Sequence, residues 1–243
     1  MDVEIVSHCW KYSKLQMYQL SSILTASAES DAPNVTLSLF FALADQDTVK
    51  LVEFFDTIQR PNPARVTWRW RPLPHPELTN RAIGRNLAAK GTKADVVWFA
   101  DADYCVMPGF WKNFHAVLPT INKPLWYPRT VSATTHERGQ EAIRNAAGEP
   151  RLLHYPARDL IEQSFRKAIG GVQFVLGDTA RAKGYLDGQP KQLRPYTSGN
   201  WRANVEDQRY RKSLGTPGQA VDMRGLLRIR HGERGGPEKV VNF

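Results

Sequence analysis

Asp101 and Asp103 stand one residue apart, directly after the apolar run 96–100. Two carboxylates so placed at the end of a buried strand can hold a divalent cation that also binds phosphate oxygens. Mg²⁺ and Mn²⁺ favour such oxygen ligands and share their sphere with substrate phosphates and water. Asp-x-Asp by itself is common in surface turns, so it is the strand before it that gives the pair direction. A second acidic pair, Glu206 and Asp207, opens a helical stretch. There the helix dipole alone is a sufficient reason for acid.

The elements that must position these residues follow from periodicity. Residues 3–7 and 35–44 read as strands, 14–29 and 48–59 as helices, and the alternating "RVTWRW" as a further strand. Met17, Leu20, Ile23 and Leu24 share one face of the first helix. Asp47 or Thr48 is the expected cap of the second. Residues 79–90 predict a helix that leads into strand 95–100. Strand and helix in this alternation predict an α/β domain with a mostly parallel central sheet flanked by helices. Ligands bind beyond the carboxyl ends of such strands, which brings Ser7, Asp45 and Asp101 to one crevice. Further on, helices are expected over 108–118, 136–147 and 158–168, a strand over 171–176 and a helix from 179. The glycine-rich basic stretch 225–243 reads as a mobile tail.

At 243 residues and 42% hydrophobic content, the chain is expected to form one globular domain. No apolar run reaches the ~18 residues of a membrane span, and residues 1–10 lack a signal-peptide pattern. A cytoplasmic location is the expectation. Cys9 and Cys105 suit a reducing compartment and read as two buried thiols. The formal charge of +9 would concentrate a polyanion near the surface, with a general solubility bias as the competing explanation.

"NRAIGRNLAAKGTKADVVWFADADYCVMP" resembles the nucleotide-binding half of GT-A glycosyltransferases, whose DxD motif follows a helix with Asn-Arg pairs. "GGVQFVLGDTARAKGYLDG", "VEDQRYRKSL" and "LLRIRHGERGGPEKVVNF" resemble later motifs of that fold, in the same order. The nearest shapes are family 2 and the β-1,4-galactosyltransferase catalytic domain. This implies a Rossmann-like GT-A fold in one domain: a nucleotide-binding half over 1–107, an acceptor-binding and catalytic half over 108–224, and a basic tail over 225–243. It implies Asp103 and His231 as ligands of Mn²⁺ or Mg²⁺, with Asp101 on a metal-bound water or the donor ribose. It also implies Asp207 as general base, oriented by Glu206. Arg81 and Arg85, a turn apart on one helix, could reach a diphosphate or a uracil carbonyl, a solvated basic face being the alternative. Asp45 or Asp47 could read the ribose or base, and Gly170 and Gly171 would let the backbone approach the donor sugar. Three positions depart from the galactosyltransferase pattern. Trp201 lies five residues before Glu206, Gln208 replaces a third acid, and Arg228 stands where a methionine metal ligand is expected.

The implied reaction is inverting transfer of a hexose from a UDP-sugar to an acceptor hydroxyl. Arginines outside these motifs point to the acceptor. Arg65, Arg69 and Arg71 interleave with Trp68 and Trp70; Arg129, Arg138, Arg144 and Arg151 occupy the middle; Arg202, Arg209, Arg211, Lys212, Arg224, Arg228, Arg230 and Arg234 follow. They would suit a nucleic acid, such as DNA with hydroxymethylated pyrimidines, whose base must leave the stack to react. A surface polysaccharide acceptor, or a non-catalytic nucleotide- or nucleic-acid-binding protein of this fold, are the alternatives.

Overall fold

The structure, a computed structural model, describes residues 1–58, 65–186 and 206–232. The first half runs β1 (Asp2–Cys9), α1 (Ser13–Ala26), β2 (Asn34–Phe41), α2 (Gln46–Thr57), β3 (Val66–Pro72), α3 (His75–Leu78), α4 (Arg81–Gly91) and β4 (Val96–Phe99). The second half adds β5 (Tyr104–Val106), α5 (Phe110–Val117), β6 (Leu125–Pro128), β7 (Thr130–Ala133), α6 (His136–Asn145), β8 (Ile161–Ser164) and β9 (Gln173–Leu176). It closes with α7 (Gly177–Lys183), α8 (Glu206–Ser213), β10 (Gln219–Val221) and β11 (Leu226–Arg228).

A seven-stranded sheet has the order β10-β6-β9-β4-β1-β2-β3. Strands β4, β1, β2 and β3 are parallel neighbours, as are β10 and β6, while β9 is antiparallel to both β4 and β6. The central strands are apolar because both faces are covered: β1 is buried from Val3 to its end. Glu4 is the charged exception, and Ser38 donates a 2.6 Å hydrogen bond to it. Where β9 enters antiparallel, Phe174 lies opposite both Trp98 and Trp126 in register. Its ring stacks on theirs at centroid distances of 5.2 and 4.5 Å.

A four-stranded sheet, β5-β11-β7-β8, lies beyond the carboxyl end of β4. Two expectations change here. The helix expected over 158–168 is instead the edge strand β8, antiparallel to β7. Its residues "IEQS" are mostly exposed, so no buried face marked the period. The start of the expected mobile tail is β11, because Leu226, Leu227 and Ile229 are buried and the backbone pairs with β5 and β7. The cap of α2 also differs: it is Asp45, whose side chain accepts from the Thr48 backbone N–H at 3.4 Å and from the Thr48 hydroxyl at 2.8 Å. Cys9 and Cys105 are buried free thiols. Pro61, Pro63, Trp201, Arg202, Arg234 and the rest of 233–243 lie outside the described residues.

Candidate active site

Helix α4 approaches the sheet closely because its inner face is small. A Cβ added at Gly84 would lie 2.3 Å from His8 Nε2 and 2.9 Å from the Phe40 ring. That approach carries Arg81 and Arg85 to the carboxyl end of β4. Arg85 is fully buried. Its Nη2 donates to Asp101 Oδ1 at 3.1 Å and to the Gly170 carbonyl at 2.9 Å, and its Nη1 donates to the Tyr185 hydroxyl at 2.8 Å. The same Nη1 lies 3.7 Å from Asp207 Oδ1. Arg81 donates to Asp101 Oδ1 at 2.7 Å and lies 4.0 Å from Glu206. Burial alone would raise the Asp101 pKa, but these two guanidiniums hold it below its ordinary value.

Asp207 is oriented from a second side. The Gly170 N–H donates to its Oδ2 at 2.8 Å, and a Cβ on Gly170 would press on that carboxylate at 3.0 Å. Asp207 remains 22% exposed whereas Glu206 is 3% exposed, so Asp207 is the more open of the two acids. Burial pushes the Glu206 carboxyl above its ordinary value. Gly171 packs on Tyr104: a Cβ there would fall 2.3 Å from Tyr104 Cε2. The two glycines therefore serve close packing around Asp207, Tyr104 and Asp101.

Asp103 faces other partners. Ile229 N donates to its carbonyl at 2.8 Å, so β11 runs alongside it. Arg228 Nε donates to Asp103 Oδ2 at 2.9 Å, and His231 Nε2 lies 3.9 Å from the same oxygen. The three expected metal residues are not brought together as one donor set: Asp101 turns to α4 and Asp103 to Arg228. Among the described residues, no group of three or more His, Cys, Asp or Glu could hold a metal ion. The Arg228 guanidinium, 2.9 Å from Asp103 Oδ2, already supplies positive charge to that carboxylate and opposes a cation beside it. The residues in this arrangement do not fit a divalent ion on Asp103 and His231.

The remaining candidates lie apart. Ser7 is fully buried, and its hydroxyl donates to Gln16 at 3.2 Å, so it does not open to the crevice. Asp45 caps α2 and also accepts from the Lys11 N–H at 2.6 Å. It lines a cavity of about 370 Å³ with Trp10, Lys11, Tyr12 and Asp47. Arg85 has no exposed edge for a diphosphate or a base, nor is it part of a solvated face; it holds carboxylates in the interior. Sequence reasoning missed Tyr185, whose hydroxyl links Arg85 to Gln173, and the contact of Arg228 with Asp103. Only the substitution of arginine for a family methionine signalled the latter.

Several of the arginines expected to meet an acceptor are engaged within the fold. Arg65 donates to the carbonyls of Ser30 and Ala32, Arg69 pairs with Glu4, Arg138 pairs with Glu141 and Asp159, and Arg211 donates to the Ala168 carbonyl. Trp68 is buried, so "RVTWRW" is a half-buried edge strand. No helix among the described residues is long and apolar enough to cross a membrane.

No protein-family model and no curated protein matches the sequence. Solved structures match in architecture. TarS of S. aureus, residues 1–349, is 13% identical with a TM-score of 0.55, over 94% of this chain and 60% of that one. Its complex with UDP-GlcNAc gives 12% and 0.55, over 97% and 60%. The mannosyltransferase PcManGT from Pyrobaculum calidifontis, in complex with GDP-Man and Mn²⁺, gives 11% and 0.51, over 93% and 56%. The fold is GT-A. This GT-A chain spans 56–60% of the length of those neighbours, and identities this low carry the fold alone.

Proposed function

We propose that the protein is a nucleotide-sugar transferase, with UDP-hexose as the donor, that inverts the anomeric carbon. The observation that carries this reading is the position of Arg85, 3.1 Å from Asp101 and 3.7 Å from Asp207. One buried guanidinium thereby ties the strand-end acid of the first half to the helix-start acid of the second. In this reading the Asp207 carboxylate takes the acceptor proton, the acceptor oxygen bonds to the anomeric carbon, and the bond to the phosphate oxygen breaks. The electron pair leaves with the nucleoside diphosphate. Gly170 and Arg85 fix the carboxylate, and Asp45 and its cavity at the ends of β1 and β2 offer a place for the nucleoside. The complexes of the fold neighbours with UDP-GlcNAc and GDP-Man support the donor class.

For the acceptor we propose an anionic polymer carrying a free hydroxyl, DNA with hydroxymethylated pyrimidines being the case the +9 charge favours. A surface polysaccharide is the alternative. The test is to incubate the protein with UDP- and GDP-sugars and either hydroxymethylated DNA or neutral glycans, then weigh the products. A nucleoside heavier by one hexose is the expected result, with a steep fall in yield as salt rises. Equal transfer to a neutral glycan would overturn the DNA acceptor. Absence of transfer to any acceptor would overturn the enzyme reading in favour of a binding protein.

A further inference from the structure

We propose that the guanidinium of Arg228 takes the place of a divalent metal, meeting the donor diphosphate directly so that donor binding needs no metal ion. The proposal rests on the nucleotide-sugar reading above. Strand β11 pairs antiparallel with β5, with Arg228 opposite Tyr104, and this register sets the side chain beside Asp103. The guanidinium is fixed there by its 2.9 Å bond to Asp103 Oδ2 and lies 5.7 Å over the Tyr104 ring. Nη1 is 3.5 Å from Gln163 Oε1, and among the described residues Nη2 has no acceptor. Unlike Arg85, Arg228 is 32% exposed, and it lines a cavity of about 600 Å³ together with His136, Gln163 and His231. Arg230 and the exposed Glu162 line the same cavity.

The guanidinium sits against the carboxylate that a divalent ion on Asp103 would need. A fixed guanidinium supplies positive charge at that point with planar N–H donors that match phosphate oxygens. Being held before the donor arrives, it requires little reorganisation as charge develops on the leaving diphosphate. Asp103 then acts as the anchor that aims Arg228.

The experiment is calorimetric titration of the whole protein with UDP in excess EDTA and again in Mn²⁺, for the native chain and for Arg228→Met. The native Kd should agree between the two conditions within about threefold. Arg228→Met should bind UDP about 10- to 100-fold more weakly in EDTA, the loss expected for a charge-assisted bond to phosphate. Mn²⁺ should restore part of that loss, because the carboxylate is now released. If Arg228→Met does not fold, Arg228→Lys gives the same comparison, with EDTA-insensitive but weaker binding expected. Native binding that requires Mn²⁺ would overturn the proposal while leaving the donor reading intact. Native-like binding of UDP by Arg228→Met in EDTA would do the same. Failure of both UDP and GDP to bind in either condition would overturn the donor reading and this proposal with it.

Discussion

The two acids of the Asp-x-Asp pair live in opposite surroundings. Asp101 is held from inside by Arg81 and Arg85, on a helix packed against the parallel sheet. Asp103 is held from outside by Arg228, on a short strand at the rim of a cavity. The inner arginine has four partners and no exposure; the outer one keeps an edge toward solvent. The difference separates two uses of the same side chain: an arginine surrounded by its own protein's acceptors sets geometry, whereas one left partly open can meet a ligand.

Breaking the inner side should have the largest effect. Arg85→Met strips the buried partner from Asp101, the Gly170 carbonyl and Tyr185, and should cost about 3–5 kcal/mol in urea unfolding. Arg85→Lys should recover little of it, since an ammonium cannot reproduce the fork. A loss below about 1 kcal/mol would show that Arg85 does not organise this cluster. Next, Gly171→Ala puts a methyl 2.3 Å from Tyr104 Cε2 and should destabilise by about 1–3 kcal/mol, read in the same assay.

The smallest effect sharpens the inner side electrostatically. His8 is buried against Phe40, and burial, then Arg85 and Arg81, hold its imidazole well below the ordinary value of 6.5. The unfolded chain therefore binds the proton more tightly. Its contribution is full above about pH 6.5 and is lost at up to about 1.4 kcal/mol per unit as pH falls below that. His8→Phe should flatten the acid limb of the stability curve, measured by unfolding between about pH 5 and 7. An unchanged slope would exclude a neutral buried His8.

The inner region was legible in the sequence because its signals are local. Apolar strands, the 3.6-residue period of α4 and acids at strand ends all announce themselves within a dozen residues. Even so, an acid at a strand end serves either purpose: the pattern points to Asp45 for the ligand and Asp47 or Thr48 for the cap, whereas Asp45 is the cap. The outer region was not legible. Strand β8 has no buried face, and β11 is three residues whose pairing with β5 and β7 joins segments far apart in sequence. The engagement of Arg65, Arg69, Arg138 and Arg211 was equally hidden, because a charge count cannot tell an arginine that ties down carbonyls from one that faces water.

The proposed removal of the acceptor proton by Asp207 is tested most directly by Asp207→Asn. UDP binding by calorimetry should stay within about threefold of the native value, while single-turnover transfer of hexose from UDP-hexose falls by about 10²- to 10⁴-fold. Transfer by Asp207→Asn at a near-native rate, with UDP binding unchanged, would contradict the account.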